Sequence, residues 1–125
     1  MNPKDAILRG ETALGIEFGS TRIKGVLIDY DGNVLATGAY EWENSLIDGI
    51  WTYALSDAEK GLQACYSDLR QEVEEKYGIR PETFGAIGVS AMMHGYIALD
   101  KEDRQVAPFQ TWRNTNTTPA ADALT

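Results

Sequence analysis

One cysteine and one histidine in 125 residues exclude several kinds of chemistry at once. Cys65 has no partner for an intrachain disulfide, and no Cys/His set is spaced for metal ligation. Cys65 falls on the apolar stripe of a predicted helix and reads as a buried, inert thiol. Neither a nucleophile elbow nor a Walker-type loop occurs. Positive charge is also scarce: 11 Lys and Arg against 19 Asp and Glu give a net charge of −8 and a pI near 4.5. Clustered Lys and Arg are what hold a phosphate backbone, so no nucleic-acid partner is expected. No apolar run is long enough to cross a bilayer, and no membrane partner is expected. Met1 to Thr12 carries charges and no apolar core of a secretory signal, so a cytoplasmic location is expected. Internal repeats and low-complexity segments are absent as well.

What remains is ordinary globular material, 43% hydrophobic and 24% charged, at the size of a single domain. Residues 1–12 read as a loose N-terminal arm. Order begins at Ala13, where Leu14, Ile16 and Phe18 alternate with smaller or polar residues at the period of a strand. A Gly-Ser-Thr turn leads to a second apolar strand, Ile23 to Ile28. Asp29-Tyr30-Asp31-Gly32-Asn33 is a reversal signal, and Val34 to Tyr40 makes a third strand. Two short reversals imply an antiparallel three-stranded meander. Residues 41–55, with Trp42 and Trp51 flanking a polar stretch, read as a loop.

Ser56-Asp57-Ala58-Glu59 matches a capping box and predicts a helix over 57–77, about 30 Å long. Leu62, Cys65, Leu69 and Val73 form its apolar stripe, Lys60, Asp68, Arg70, Glu72, Glu74 and Lys76 its wet face, and Gly78 its stop. Beyond Pro81, Phe84 to Val89 has the composition of a buried central strand, parallel to the first, with Tyr96 to Leu99 as a further short strand. Asp100 to Arg104 is a polar turn, Val106 to Trp112 an extended piece, and 117–122 a helix beginning with Pro119 near its first position. The fold class is α/β. A chain stopping about one turn into a helix suggests part of something longer.

Three stretches carry candidate chemistry. In "IEFGSTRIKG", a strand-turn-strand gathers backbone N–H groups and two hydroxyls at one point, an arrangement that binds anions such as polyphosphate. Lys24 adds positive charge, and Glu17 can hold hydrated Mg²⁺, which favours one or two carboxylates with water and phosphate oxygens. The same stretch also suits a plain hairpin. In "GVSAMMHGYIALD", His94 follows Met92 and Met93 at a strand's C-terminal end, the edge where open α/β sheets bind ligands. His94 there can meet a sugar hydroxyl or make a structural hydrogen bond, and the methionines can equally be core packing. In "FQTWRNTNTTP", Trp112, Arg113, Asn114 and Asn116 place polar donors beside an indole, a composition that suits a carbohydrate.

Together the three resemble the FGGY family of carbohydrate kinases, which has a ribonuclease H-like, actin-like ATPase fold. The family opening, strand then Asp-x-Gly-Thr-Thr-x-x-Lys then apolar strand, Asp and turn, is matched by "GIEFGSTRIKGVLIDYDGNVLA". The later Gly-Ile-[Ser/Ala]-Gly-Gln-Met-His-Gly, Leu-Asp and Trp-x-Asp-x-Arg stretches are matched by "GVSAMMHGYIALD" and "FQTWRNTNT", in the right order. The resemblance spans residues 13–125 and makes them the N-terminal part of the first kinase domain. It implies ATP-dependent phosphorylation of a sugar or polyol. Gly19, Ser20, Thr21 and Lys24 would meet the ATP phosphates, Glu17 would stand on the magnesium side, and Met93, His94, Trp112 and Arg113 would contact the sugar.

No catalytic base is expected within the chain; in this resemblance it lies beyond Thr125, and the adenosine pocket belongs to a second domain. The remainder of the kinase chain is then a partner, and the piece alone should be inactive. An apolar edge left uncovered would also favour self-association, which leaves a homodimer open. Glu17 replaces the family's Asp, Met92 its Gln, and Asn114 and Asn116 interrupt its Trp-x-Asp-x-Arg, which points to a sugar other than xylulose. Two other readings fit the same residues: a non-catalytic sugar- or nucleotide-binding module, and, more distantly, an actin-like chaperone or filament protein.

Overall fold

The computed structural model describes residues 2–93, 95–111, 113–115 and 117–124. The residues expected to form a loose arm instead make helix α1 (Pro3–Arg9), whose Ala6 and Ile7 are buried. The Asn2 side chain accepts from the amides of Lys4 and Asp5 at 2.8 and 3.3 Å, Pro3 opens the first turn, and Gly10 closes the helix at φ 67°. This start-and-stop grammar stands openly in "MNPKDAILRG". Seven residues of helix would not hold by themselves, and burial of Ile7 in the core fixes them.

The meander forms as expected from β1 (Thr12–Phe18), β2 (Arg22–Asp29) and β3 (Val34–Glu41). Residues 42–54 are not simply a loop, since β4 (Ser45–Ile47) and β5 (Ile50–Thr52) pair as a small antiparallel hairpin. Helix α2 (Leu55–Tyr77) then crosses to β6 (Ala86–Ala91), which lies parallel to β1 and completes the sheet order β3-β2-β1-β6. A parallel neighbour requires such a crossover. Residues 96–99 return against 105–110 through antiparallel bridges Tyr96–Gln110 and Leu99–Gln105, and α3 (Thr118–Leu124) ends the described chain with Pro119 in its first turn. Among the described residues no helix is long and apolar enough to cross a membrane.

Asp29 shows how the β2–β3 reversal is held. Its carboxylate accepts from the Asn33 side chain at 2.9 Å and from the amides of Asn33 and Asp31 at 2.9 and 3.0 Å. These bonds, the Asn33 side chain first, hold its carboxyl below the ordinary carboxylate range. A pKa lowered by folding stabilises above the unfolded value and loses that contribution as pH falls through the folded one. Asp29→Asn should therefore flatten the acid limb of a urea-midpoint-against-pH curve below about pH 4. An unchanged limb would show that the turn does not depend on the ionised carboxylate.

Helix α2 buries Cys65, Leu69 and Val73 of its predicted stripe and departs from it only at its N-terminal end. Its buried positions are Gly61, Cys65, Leu69 and Val73, while Leu62 is 37% exposed. The helix lies so close to β2 and β3 that glycine is needed on both sides of the contact. A Cβ on Gly61 would stand 2.5 Å from Ile23 Cδ1, and one on Gly38 would stand 2.2 Å from the Cys65 carbonyl oxygen. Cys65 is fully buried, and burial pushes its thiol up, as an inert thiol requires.

The capping box also does not form, because α2 begins at Leu55 with no side-chain cap. Asp57 instead accepts from the Tyr40 hydroxyl at 2.7 Å, tying the helix start to β3. Asp68 and Glu72, expected on the wet face, accept from the edge amides of Ala39 and Thr37 and so close that side of the sheet. No described element covers β6 as α2 covers β2 and β3. The strand expected at the centre is therefore the outer one, with Ile87 62% and Val89 68% exposed.

Candidate functional site

Because β1 and β6 run parallel, both release their C-terminal ends at the same edge of the sheet. Phe18 pairs with Ala91, and the Met92 amide donates to the Phe18 carbonyl at 3.1 Å. Gly19 and Ser20 of the turn and the methionine pair, more than seventy positions apart, thus share one cleft of about 320 Å³ lined also by Glu17 and Ser90 among others, while Thr21 lines a separate concavity with Arg22, Glu41, Trp42 and Glu43. Met93 is 87% exposed at the mouth of the cleft. Topology brings these segments together; periodicity alone places them on separate strands.

The turn is built for contact rather than for a left-handed backbone. None of Gly19, Ser20 and Thr21 has positive φ. Gly19 is needed for space, since a Cβ there would lie 2.9 Å from the Arg22 carbonyl oxygen and 3.5 Å from Glu17 Oε1. The turn's carbonyls are all engaged: Gly19 accepts from Trp42 Nε1 at 2.8 Å, Ser20 from the Tyr53 hydroxyl, and Thr21 from the Trp42 amide at 3.2 Å. Ser20 and Thr21 are themselves exposed, and no described protein group bonds to their amides or hydroxyls.

Glu17 sits in register with Lys24 on β2 and with Ser90 on β6, so the three share one sheet face. Neither Glu17 nor Lys24 is held in an ion pair among the described residues. Lys24 does not line the cleft beside the turn; with Glu17, Gly15, Val26 and Ser90 it lines the adjoining concave face. Among the described residues no three His, Cys, Asp or Glu side chains gather as a metal cage.

Arg113 lies elsewhere, with its guanidinium 4.6 Å from the Trp51 ring centroid, and it does not line this cleft. Asn114 is taken up by structure: its amide accepts from the Trp51 N–H at 2.8 Å and donates to the Trp51 carbonyl at 2.7 Å, extending the edge of β5. His94, Trp112 and Asn116 lie outside the described residues.

Sequence reasoning passed over an aromatic layer beneath the turn. Trp42 and Tyr53 are buried, with ring centroids 4.3 Å apart, flanked by Phe18 at 6.4 Å from Trp42 and Phe109 at 5.4 Å from Tyr53. Burial pushes the Tyr53 phenol above its ordinary range, with Arg113 opposing and Glu43 adding, so it remains a donor. The available signal was two aromatics with polar handles inside a supposed loop, residue types that seek a partner when buried.

A β-meander, crossover helix and parallel fourth strand, with a polar turn at the strand ends, constitute the opening of an actin-like ATPase fold. Residues 12–125 match the FGGY family of carbohydrate kinases, N-terminal domain, and the chain belongs to that family. It is 26% identical over 120 residues to the xylulose kinase of Lactococcus lactis, covering 90% of this chain and 22% of that protein. It is also 26% identical over 89 residues to the autoinducer-2 kinase of Escherichia coli K12, covering 71% of this chain and 17% of that protein. The crystal structure of a xyloylose kinase from Brucella ovis superposes with a TM-score of 0.76 at 26% identity, covering 90% of this chain and 23% of that one. The chain thus spans about a fifth of the length of these relatives, 17% to 23%.

Proposed function

We propose that the protein carrying this chain transfers the terminal phosphoryl group of ATP to a hydroxyl of a sugar or polyol. The observation that carries this reading is the meeting of Gly19 and Ser20 of the turn with Met92 and Met93 in one cleft at the ends of β1 and β6. Phosphoryl transfer depends on positioning and on stabilising charge, and the turn offers both amides and hydroxyls to phosphate oxygens. In this reading Gly19, Ser20 and Thr21 hold the phosphates and Lys24 adds positive charge from the adjoining face. Met93 is at the sugar side, with His94, Trp112 and Arg113 assigned there by the family resemblance.

A lone carboxylate beside the turn fits Mg²⁺ carried on nucleotide phosphates, because that ion completes its shell with water and phosphate oxygens. Glu17 would hold it, with Ser90 beside it in register. Bound there, the ion would neutralise charge on the transferred group. Closure by parts beyond this chain would exclude water and bring the base, so the chain alone should be silent.

The test is ADP release by the full-length parent with ATP and Mg²⁺ against a panel of ketoses and polyols. Sugar-stimulated release is expected. A folded parent showing none with any sugar would overturn the kinase reading.

Glu17, one methylene longer than the aspartate of the family pattern, favours a second reading, a binding module that retained the fold. Calorimetry with sugar and with ATP-Mg²⁺ on the parent and on Glu17→Asp separates the two. Under the kinase reading the substitution shifts both turnover and the Mg²⁺ requirement. If binding persists without turnover in either protein, the module reading stands.

A further inference from the structure

We propose that Trp42 and Tyr53 are positioning residues that aim the amides of the Gly19–Thr21 turn at the phosphates of a bound nucleotide. The inference rests on the kinase reading above and concerns two residues buried behind the turn, neither of which lines the cleft beside it.

In a planar trans peptide the C=O of one residue and the N–H of the next point in opposite directions. All peptides described here are trans. Anchoring a carbonyl on one side therefore directs the following amide to the other. Trp42 Nε1 draws the Gly19 carbonyl inward, which turns the Ser20 N–H outward. The Tyr53 hydroxyl draws the Ser20 carbonyl inward, which turns the Thr21 N–H outward. The Trp42 amide holds the Thr21 carbonyl in the same way.

Two successive outward amides form an anion-binding concavity, and their preset direction removes an ordering cost that a loose turn would meet on binding. The anchors are themselves immobilised. Trp42 is 6% and Tyr53 3% exposed, and both are clamped in the ring stack from Phe18 to Phe109. Phe109 in turn lies against Gly95, where an added Cβ would be 3.3 Å from its ring. The layer thus joins the turn to the residue that follows His94 in sequence.

The experiment compares ATP-Mg²⁺ affinity by calorimetry, together with KM for ATP and for the accepted sugar, in the full-length parent and three variants. Tyr53→Phe deletes one hydroxyl and keeps every ring contact. Trp42→Phe deletes the indole N–H and gives a second, independent measurement should Tyr53→Phe fail to fold. Tyr40→Phe is the matched control, losing an equivalent phenol bond to Asp57 away from the turn. Loss of one such hydrogen bond is expected to weaken ATP about five-fold in Tyr53→Phe and Trp42→Phe. The sugar KM and the ATP affinity of Tyr40→Phe should stay within about two-fold of the parent, because the bond lost to Asp57 lies away from the turn and shares no partner with it. Unchanged ATP affinity in Tyr53→Phe, or an equal loss in Tyr40→Phe, overturns the positioning role while leaving the kinase reading intact. A parent that binds no nucleotide overturns both.

Discussion

Replacing Gly38 by alanine should cost the fold about 3 kcal/mol or more, the largest loss expected from a single methyl group in this chain. The added carbon would stand 2.2 Å from the Cys65 carbonyl oxygen, 2.7 Å from the Leu69 nitrogen and 3.0 Å from Leu69 Cβ. Two of those three atoms are helix backbone, so no side-chain rotation relieves the contact. Helix α2 would have to lift from β2 and β3, opening the packing around Cys65, Leu69 and Val73, all fully buried. The measurement is the urea midpoint of unfolding, with Leu62→Ala as the comparison. Leu62, half exposed beside the seam, should lose within about 1 kcal/mol. A Gly38→Ala protein as stable as its parent would mean that helix and sheet are not packed as closely as described.

Gly19→Ala should weaken ATP-Mg²⁺ binding by the full-length parent about tenfold while leaving sugar binding near its original value. The Cβ would lie 2.9 Å from the Arg22 carbonyl oxygen, which already accepts from the Gly19 amide at 2.9 Å. Relief requires the turn to open, and opening it moves the Ser20 and Thr21 amides away from their held directions. The same Cβ faces Glu17 Oε1 at 3.5 Å, so the carboxylate proposed for Mg²⁺ is crowded too. Calorimetry with ATP-Mg²⁺ and separately with sugar checks the split. Nucleotide affinity within about two-fold of the parent would show that the turn does not hold phosphate, since one lost hydrogen bond should exceed that.

The three strands of the meander and the reversals between them were legible because each depends on a local pattern. Alternation in "LGIEF", the Asp29–Asn33 reversal and the Gly78 stop all act through neighbours a few residues away. The Asn-Pro start and glycine stop of α1 were equally local and equally readable, although residues 1–12 looked like an arm. Family membership was legible too, through the order of the turn, the Met-His-Gly stretch and the tryptophan segment, all falling within the matched residues 12–125.

Tertiary structure decided what local pattern cannot carry. Helical spacing assigned Leu62 to the buried stripe, but the depth to which α2 sinks onto Gly25 and Gly38 puts Gly61 there instead. Local capping preference assigned Ser56 and Glu59 to a helix-start box, but the helix begins at Leu55 without a side-chain cap, and its first turn is tied instead through Asp57 to the Tyr40 hydroxyl of β3. Likewise the indole of Trp42 and the phenol of Tyr53 find the Gly19 and Ser20 carbonyls only because the 42–54 segment folds back beneath the turn. A sequence records what each residue prefers among its neighbours in the chain. Which distant group satisfies a buried donor, and where two backbones come too close for a methyl group, is settled only when the elements are packed.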